Sequence, residues 1–158
     1  MDWNEGQYPE DERSVGQVLR DPPPPSSPRA RNVMLGNRSE SERERELRSA
    51  LHRRGHRFRK HYAPVTGLRC RPDIVFLSAR LAVFVDGCFW HRCPMHGTEA
   101  KANGAWWRVK LDSNVARDRR NDAALARAGW RTIRLWAHEP LEVMIASVER
   151  AVFERTSE

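Results

Sequence analysis

The sequence predicts an α/β domain: a mixed central sheet flanked by helices. Two short apolar runs rich in Val, Ile and Phe, "PDIVFLS" and "RLAVFVDG", lie either side of Ser78, Ala79 and Arg80. That is the pattern of a hairpin of buried strands. A later run, "WRTIRLW", alternates as a strand does, and helical patterns precede and follow all three. Strands interleaved with helices in this way point to an α/β arrangement.

Taken in order, residues 1–30 hold "DPPPPSSPRAR". Four consecutive prolines enter neither a helix nor a central strand, so this acidic, proline-rich arm is expected to be disordered or extended. The folded domain of the chain is then residues 31–158. "SERERELRSALHRRGHRF" carries Leu47, Ala50 and Leu51, with Ser39 or Ser41 as cap, acids in the first turn and Gly55 as stop, which predicts a helix. "HRFRKHYA" alternates as a strand, and the hairpin follows. In "NGAWWRVKLDSNVARDRRNDAALARAGW", Trp107, Leu111 and Val115 recur every four residues before Gly129, which predicts a long amphipathic helix. After the "WRTIRLW" strand, Pro140 opens a last helix over "LEVMIASVERAVF".

The chain has 158 residues and 39% hydrophobic content, enough for one compact domain. No stretch reaches the roughly 20 apolar residues of a membrane span, and the first residues are acidic and polar where a signal peptide is basic then apolar. A soluble, cytoplasmic protein is expected. Net charge is +7, yet residues 1–30 carry −3 and residues 31–158 carry +10. Of 28 basic residues 25 are arginine, whose planar fork donates paired hydrogen bonds to phosphate. A basic body suits a polyanion, first of all nucleic acid; codon usage in a GC-rich genome is the bland alternative. The three cysteines, two of them beside histidines, read as metal ligands rather than disulfide partners.

"VDGCFWHRCPMHGT", Val85 to Thr98, packs Cys88, His91, Cys93 and His96 into nine residues. Structural zinc takes four thiolate or imidazole ligands. Those four residues satisfy it locally; alternatively His138, beyond the last strand, replaces His91 and leaves His91 for chemistry. Spacing leaves both arrangements open. Phe89 and Trp90 within the loop either pad a small core or wedge between bases.

Asp73 precedes one hairpin strand and Asp86 ends the other. Acids at adjacent strand ends suit Mg²⁺, which takes oxygen ligands and keeps waters for a phosphate to displace. With His91 to activate water, they make a phosphodiester hydrolase; a non-enzymatic zinc-bearing DNA-binding module is the competing class. Lys110 and Asn114, four apart on the long helix, are either base-edge readers or part of a solvated face with Asp112, Asp118 and Asp122.

Together "SERERELRSALHRRGHRFR", "RPDIVF", "VFVDGCFWHRCPMHGT", "WWRVKLDSNVARDRRNDAALARAGWRTIRLW" and His138 resemble the very short patch repair endonucleases. These nick double-stranded DNA beside a T:G mismatch left by deamination of 5-methylcytosine. The resemblance runs from about Val33 to about Glu139 and implies a restriction-endonuclease-like fold. It implies Asp73 as the catalytic Mg²⁺ ligand, with the Val85 backbone carbonyl as second contact. It further implies His91 as catalytic histidine and Glu44 as the helical glutamate near the site. Zn²⁺ falls to Cys88, Cys93, His96 and His138. Phe89 and Trp90 match the intercalating aromatics, Lys110 and Asn114 the residues that touch the mismatched pair, and Met34 a wedge from the N-terminal arm. Some members have a second histidine where this chain has Asp86, and a cysteine where it has His138. Nicking one strand needs only a monomer.

Overall fold

A computed structural model describes residues 12–28, 30, 31 and 41–156. Its elements are α1 (Glu12–Arg20), α2 (Glu42–Arg53), β1 (Arg59–Lys60), β2 (Ile74–Phe76), β3 (Leu81–Asp86), α3 (Gly104–Arg127), β4 (Arg131–Trp136) and α4 (Leu141–Thr156). From α2 onward this is the order that the sequence predicts. The chain divides into two compact units, one of residues 1–39 and 89–117, the other of residues 40–88 and 118–158. Helix α3 begins in the first and ends in the second. Among the described residues no helix is long and apolar enough to cross a membrane.

The second unit holds the sheet, in the order β1-β2-β3-β4. β1, β2 and β3 pair antiparallel, whereas β3 and β4 run parallel from Leu81↔Arg131 to Asp86↔Trp136. The sheet is therefore mixed, as expected. A parallel pair needs a long crossover connection, and the stretch holding the ligand loop and α3 supplies it. Side chains alternate across a strand, so β3 faces both ways. Leu81, Val83 and Val85 join Leu47 and Leu51 of α2 and Met144, Ile145 and Val148 of α4 in the main core. Ala82 joins Leu125 of α3 and Cys70 on the other side.

The helix signals hold in detail. Ser41 is the cap of α2: its Oγ accepts from the Glu44 N–H at 3.2 Å, and the Glu44 carboxylate accepts from the Ser41 N–H at 3.3 Å. The alternative cap, Ser39, lies outside the described residues. Gly55 and Gly129, expected as stops, have φ of +88° and +79°, where a side chain is strained.

Two elements differ from expectation. Glu12–Arg20 is helical inside the arm expected to be extended, although the four prolines after it are not. Val15, Val18 and Leu19 carry helical spacing that the neighbouring proline run obscures, and the Trp106 indole N–H donates to the Val18 carbonyl at 3.1 Å. That carbonyl belongs to the last turn of α1, which lacks partners within the helix. The strand expected over "HRFRKHYA" shrinks to Arg59–Lys60, because His61 turns to φ +46° and leaves the extended region.

Candidate active site

Asp73 stands one residue before β2 and is the carboxylate around which the second unit's polar groups gather. Its Oδ2 accepts from the Val85 backbone N–H at 2.8 Å. Burial pushes its pKa from 3.8 up to about 7; the Val85 bond opposes this, the charges of Glu44 and Asp86 add to it, and Arg48 offsets part. Glu44, on α2, faces Arg48 across one turn at 3.8 Å. Arg48 is itself buried. Burial lowers its pKa, and the charge of Asp73 works against that. The place of Arg48 on α2 beside the buried Leu47 and Leu51 keeps it out of solvent with Glu44 one turn away.

Asp86, expected to share a cation with Asp73, has another partner. Both its oxygens accept from Arg134 Nη1, at 2.9 and 3.0 Å. The reason is register: Arg134 lies opposite Phe84, and Asp86 is two residues on along the same face. The Arg134 guanidinium sits 4.4 Å over the Phe84 ring and also donates to Asp122 at 2.9 and 3.0 Å. Burial disfavours its charge, but the Asp122 and Asp86 carboxylates outweigh that and hold its pKa above the usual arginine value. Arg134 is a site residue that the sequence reading missed, since nothing local singles it out from 24 other arginines.

The metal donors form two pairs. Asp86 and Trp136 are register partners, and two residues past each come Cys88 and His138. Equal overshoot at the ends of parallel neighbours brings Cys88 Sγ within 3.1 Å of His138 Nδ1. In the first unit Cys93 Sγ lies 3.9 Å from His96 Nδ1. That second pair is set by a tight turn in which the Gly97 N–H donates to the Cys93 carbonyl at 2.7 Å. A Cβ on Gly97 would stand 2.5 Å from the same oxygen, so only glycine fits. Cys88, Cys93, His96 and His138 each offer one donor atom to a metal.

The first unit also gathers the aromatics. Phe89, Trp90 and Trp107 pack edge to face in one triangle, with ring centroids 5.3, 5.2 and 5.6 Å apart. Trp106 packs edge to face on Trp107 at 5.0 Å. Trp107, expected only as a helix core position, is thus a member of the loop's aromatic cluster. Asn114 is buried and donates its amide to the Trp90 carbonyl at 3.2 Å. Lys110, one turn earlier, has its pKa lowered by burial and by Arg117. Arg92 pairs with Asp112 at 2.8 Å, tying the loop to α3. His91 is half-buried in this unit. Met34 lies outside the described residues.

A family model described as DNA mismatch endonuclease Vsr matches residues 26–96, the stretch containing Glu44, Asp73, Val85 and the loop through His96. The type II nicking enzyme V.NaeI of Lentzea aerocolonigenes is 44% identical over 129 residues, which cover 80% of this chain and 78% of that protein. The type II nicking enzyme V.XorIIP of Xanthomonas oryzae pv. oryzae is 44% identical over 117 residues, 72% of this chain and 83% of that protein. The DNA mismatch endonuclease Vsr of Escherichia coli K12 is 36% identical over 94 residues, 59% of this chain and 58% of that protein. With a partly buried carboxylate at a strand end and such relatives along most of its length, this chain belongs to the Vsr family of mismatch endonucleases and type II nicking enzymes.

Proposed function

We propose that the protein is a DNA endonuclease of restriction-endonuclease-like fold that nicks one strand of a duplex beside a T:G mismatch. The observation that carries this reading is Asp73: a partly buried carboxylate whose pKa is raised to about 7 by desolvation and neighbouring acids, with one oxygen held by the Val85 N–H. Such a group is relieved by a bound cation. A strand residue turns its N–H and C=O toward the same neighbour, so the Val85 carbonyl faces the Asp73 side as well. One carboxylate and one carbonyl are hard oxygen donors of the kind Mg²⁺ takes. When bound, Mg²⁺ supplies Lewis-acid stabilisation of charge on the reacting phosphate.

The chain's own residues do the rest. Asp73 and the Val85 carbonyl hold the cation. His91 accepts the proton of the attacking water. Glu44, capped into α2 and faced by Arg48, and Asp86, held by Arg134, fix the negative surroundings of Asp73. Phe89 and Trp90, packed on Trp107, enter the base stack where a wobble pair is easier to unstack than a matched one. Lys110 and Asn114 lie on α3 next to that wedge, and Met34 is a further wedge from the arm. Cys88, Cys93, His96 and His138 hold Zn²⁺: two thiols and two imidazoles are a fitting donor set for a structural ion. Bound by those four residues, zinc would fix the loop that carries both the wedge and His91. A monomer acting on one strand in the cytoplasm suffices for all of this.

A second reading keeps the chemistry and changes the target. It is supported by the names of the 44% identical relatives, both type II nicking enzymes. Incubating the protein with Mg²⁺ and duplexes bearing each mismatch in varied sequence contexts, then mapping every nick, separates the two. Nicking confined to the thymine strand of T:G supports the first reading. Nicking that follows another mismatch or a matched sequence supports the second, and no nicking of any duplex rejects both.

A further inference from the structure

We propose that His61 is a further catalytic residue, its imidazole donating a hydrogen bond to a non-bridging oxygen of the scissile phosphate at Asp73. The inference rests on the nicking reading above and adds a residue that this reading does not use. The register of β1 against β2 pairs Arg59 with Val75 and Lys60 with Ile74, so the next position, His61, stands opposite Asp73. The contact follows: His61 Nδ1 lies 4.0 Å from Asp73 Oδ1. Oδ1 is the carboxylate oxygen on the side away from the Val85 bond, since Val85 takes Oδ2. At 4.0 Å the two groups are too far apart for a direct hydrogen bond but close enough for one oxygen atom to touch both.

Three further features fit a role toward DNA rather than toward the core. The His61 side chain is 43% exposed, so a ligand can reach it. Its backbone has φ +46°, a region that non-glycine residues adopt rarely and that clusters where a side chain must be aimed. β1 is an edge strand, and its residues Arg59 and Lys60 are exposed beside His61. Cations along that edge would lead a phosphate backbone to the histidine. An imidazole N–H poised where charge develops on a phosphoryl oxygen stabilises the transition state more than the ground state.

The left-handed backbone supplies its own control. Glycine and asparagine both tolerate that conformation, and only asparagine restores a donor near the Nδ1 position. Full-length wild type, His61→Gly and His61→Asn are compared on an intact duplex that wild type nicks, in Mg²⁺ under single-turnover conditions, with duplex affinity measured in parallel. Loss of one such donor slows an enzyme by about 100-fold or more. His61→Gly is therefore expected to nick about 100-fold more slowly with nearly unchanged affinity, and His61→Asn to regain most of that rate. A wild-type rate in His61→Gly, equal loss in both variants, or a loss carried by affinity overturns the assignment while leaving the nicking reading intact. If wild type nicks no duplex, that reading fails, and this one with it.

Discussion

At Asp73 the surroundings oppose the side chain's own charge, and the consequence can be measured. Its pKa rises from 3.8 to about 7 on folding, chiefly through burial. The folded chain thus holds a proton that the unfolded chain has released over that interval. The stability this contributes is present in acid and is lost as pH rises through about 7. Asp73→Asn should remove that loss, so the metal-free variant should melt above wild type at about pH 8. The same variant should bind duplex DNA but lose nicking; retained nicking would take Asp73 out of the active site. Gly97 is the other decisive position. Gly97→Ala drives a Cβ into the Cys93 carbonyl, so it should open the Cys93–His96 turn and lower zinc content per chain, read by metal analysis after dialysis. Full zinc in that variant would detach the turn from metal binding.

At the scale of elements, local signals were legible wherever a cap, a stop or a period was written into neighbouring residues. Ser41, one of the two caps the sequence offers, the Gly129 stop and the hairpin around Ser78–Arg80 all appear in the structure, and Ser41 forms a capping box with Glu44. Ser41→Ala removes the box and should cost about 1 kcal/mol, a fall in Tm of about 2–4 °C for a chain of this size. A smaller fall would mean that α2 is held by its packing on the sheet alone. His138→Ala tests the strand ends: it removes the partner of Cys88 and should release zinc and lower Tm. Zinc retained at one per chain would favour the local ligand set with His91. Helix α1 was not legible, because composition dominated by prolines masks a short amphipathic pattern. The two-residue length of β1 was not legible either, because nothing in "RKH" announces a left-handed residue.

For the whole molecule, charge is the property that composition already gives. A net charge of +7, almost all arginine, predicts duplex binding driven by counterion release. Affinity for matched duplex should fall by orders of magnitude between about 50 and 200 mM salt, with the mismatch preference less affected. Salt-independent binding would mean that the arginines serve internal ion pairs such as Arg134 with Asp86 and Asp122. The sequence by itself determined the inventory: which residues can ligate, which can intercalate, which carboxylate precedes a buried strand, and the succession of helices and strands. Donor chemistry and local periodicity are properties of neighbouring residues, so they survive without a fold. Only the tertiary structure decided the partnerships. Arg134 takes Asp86 across 48 residues, Cys88 meets His138 across 50, and His61 arrives at Asp73. Each of these is set by which strand lies beside which and in what register, and a shift of one residue would turn the side chains to opposite faces.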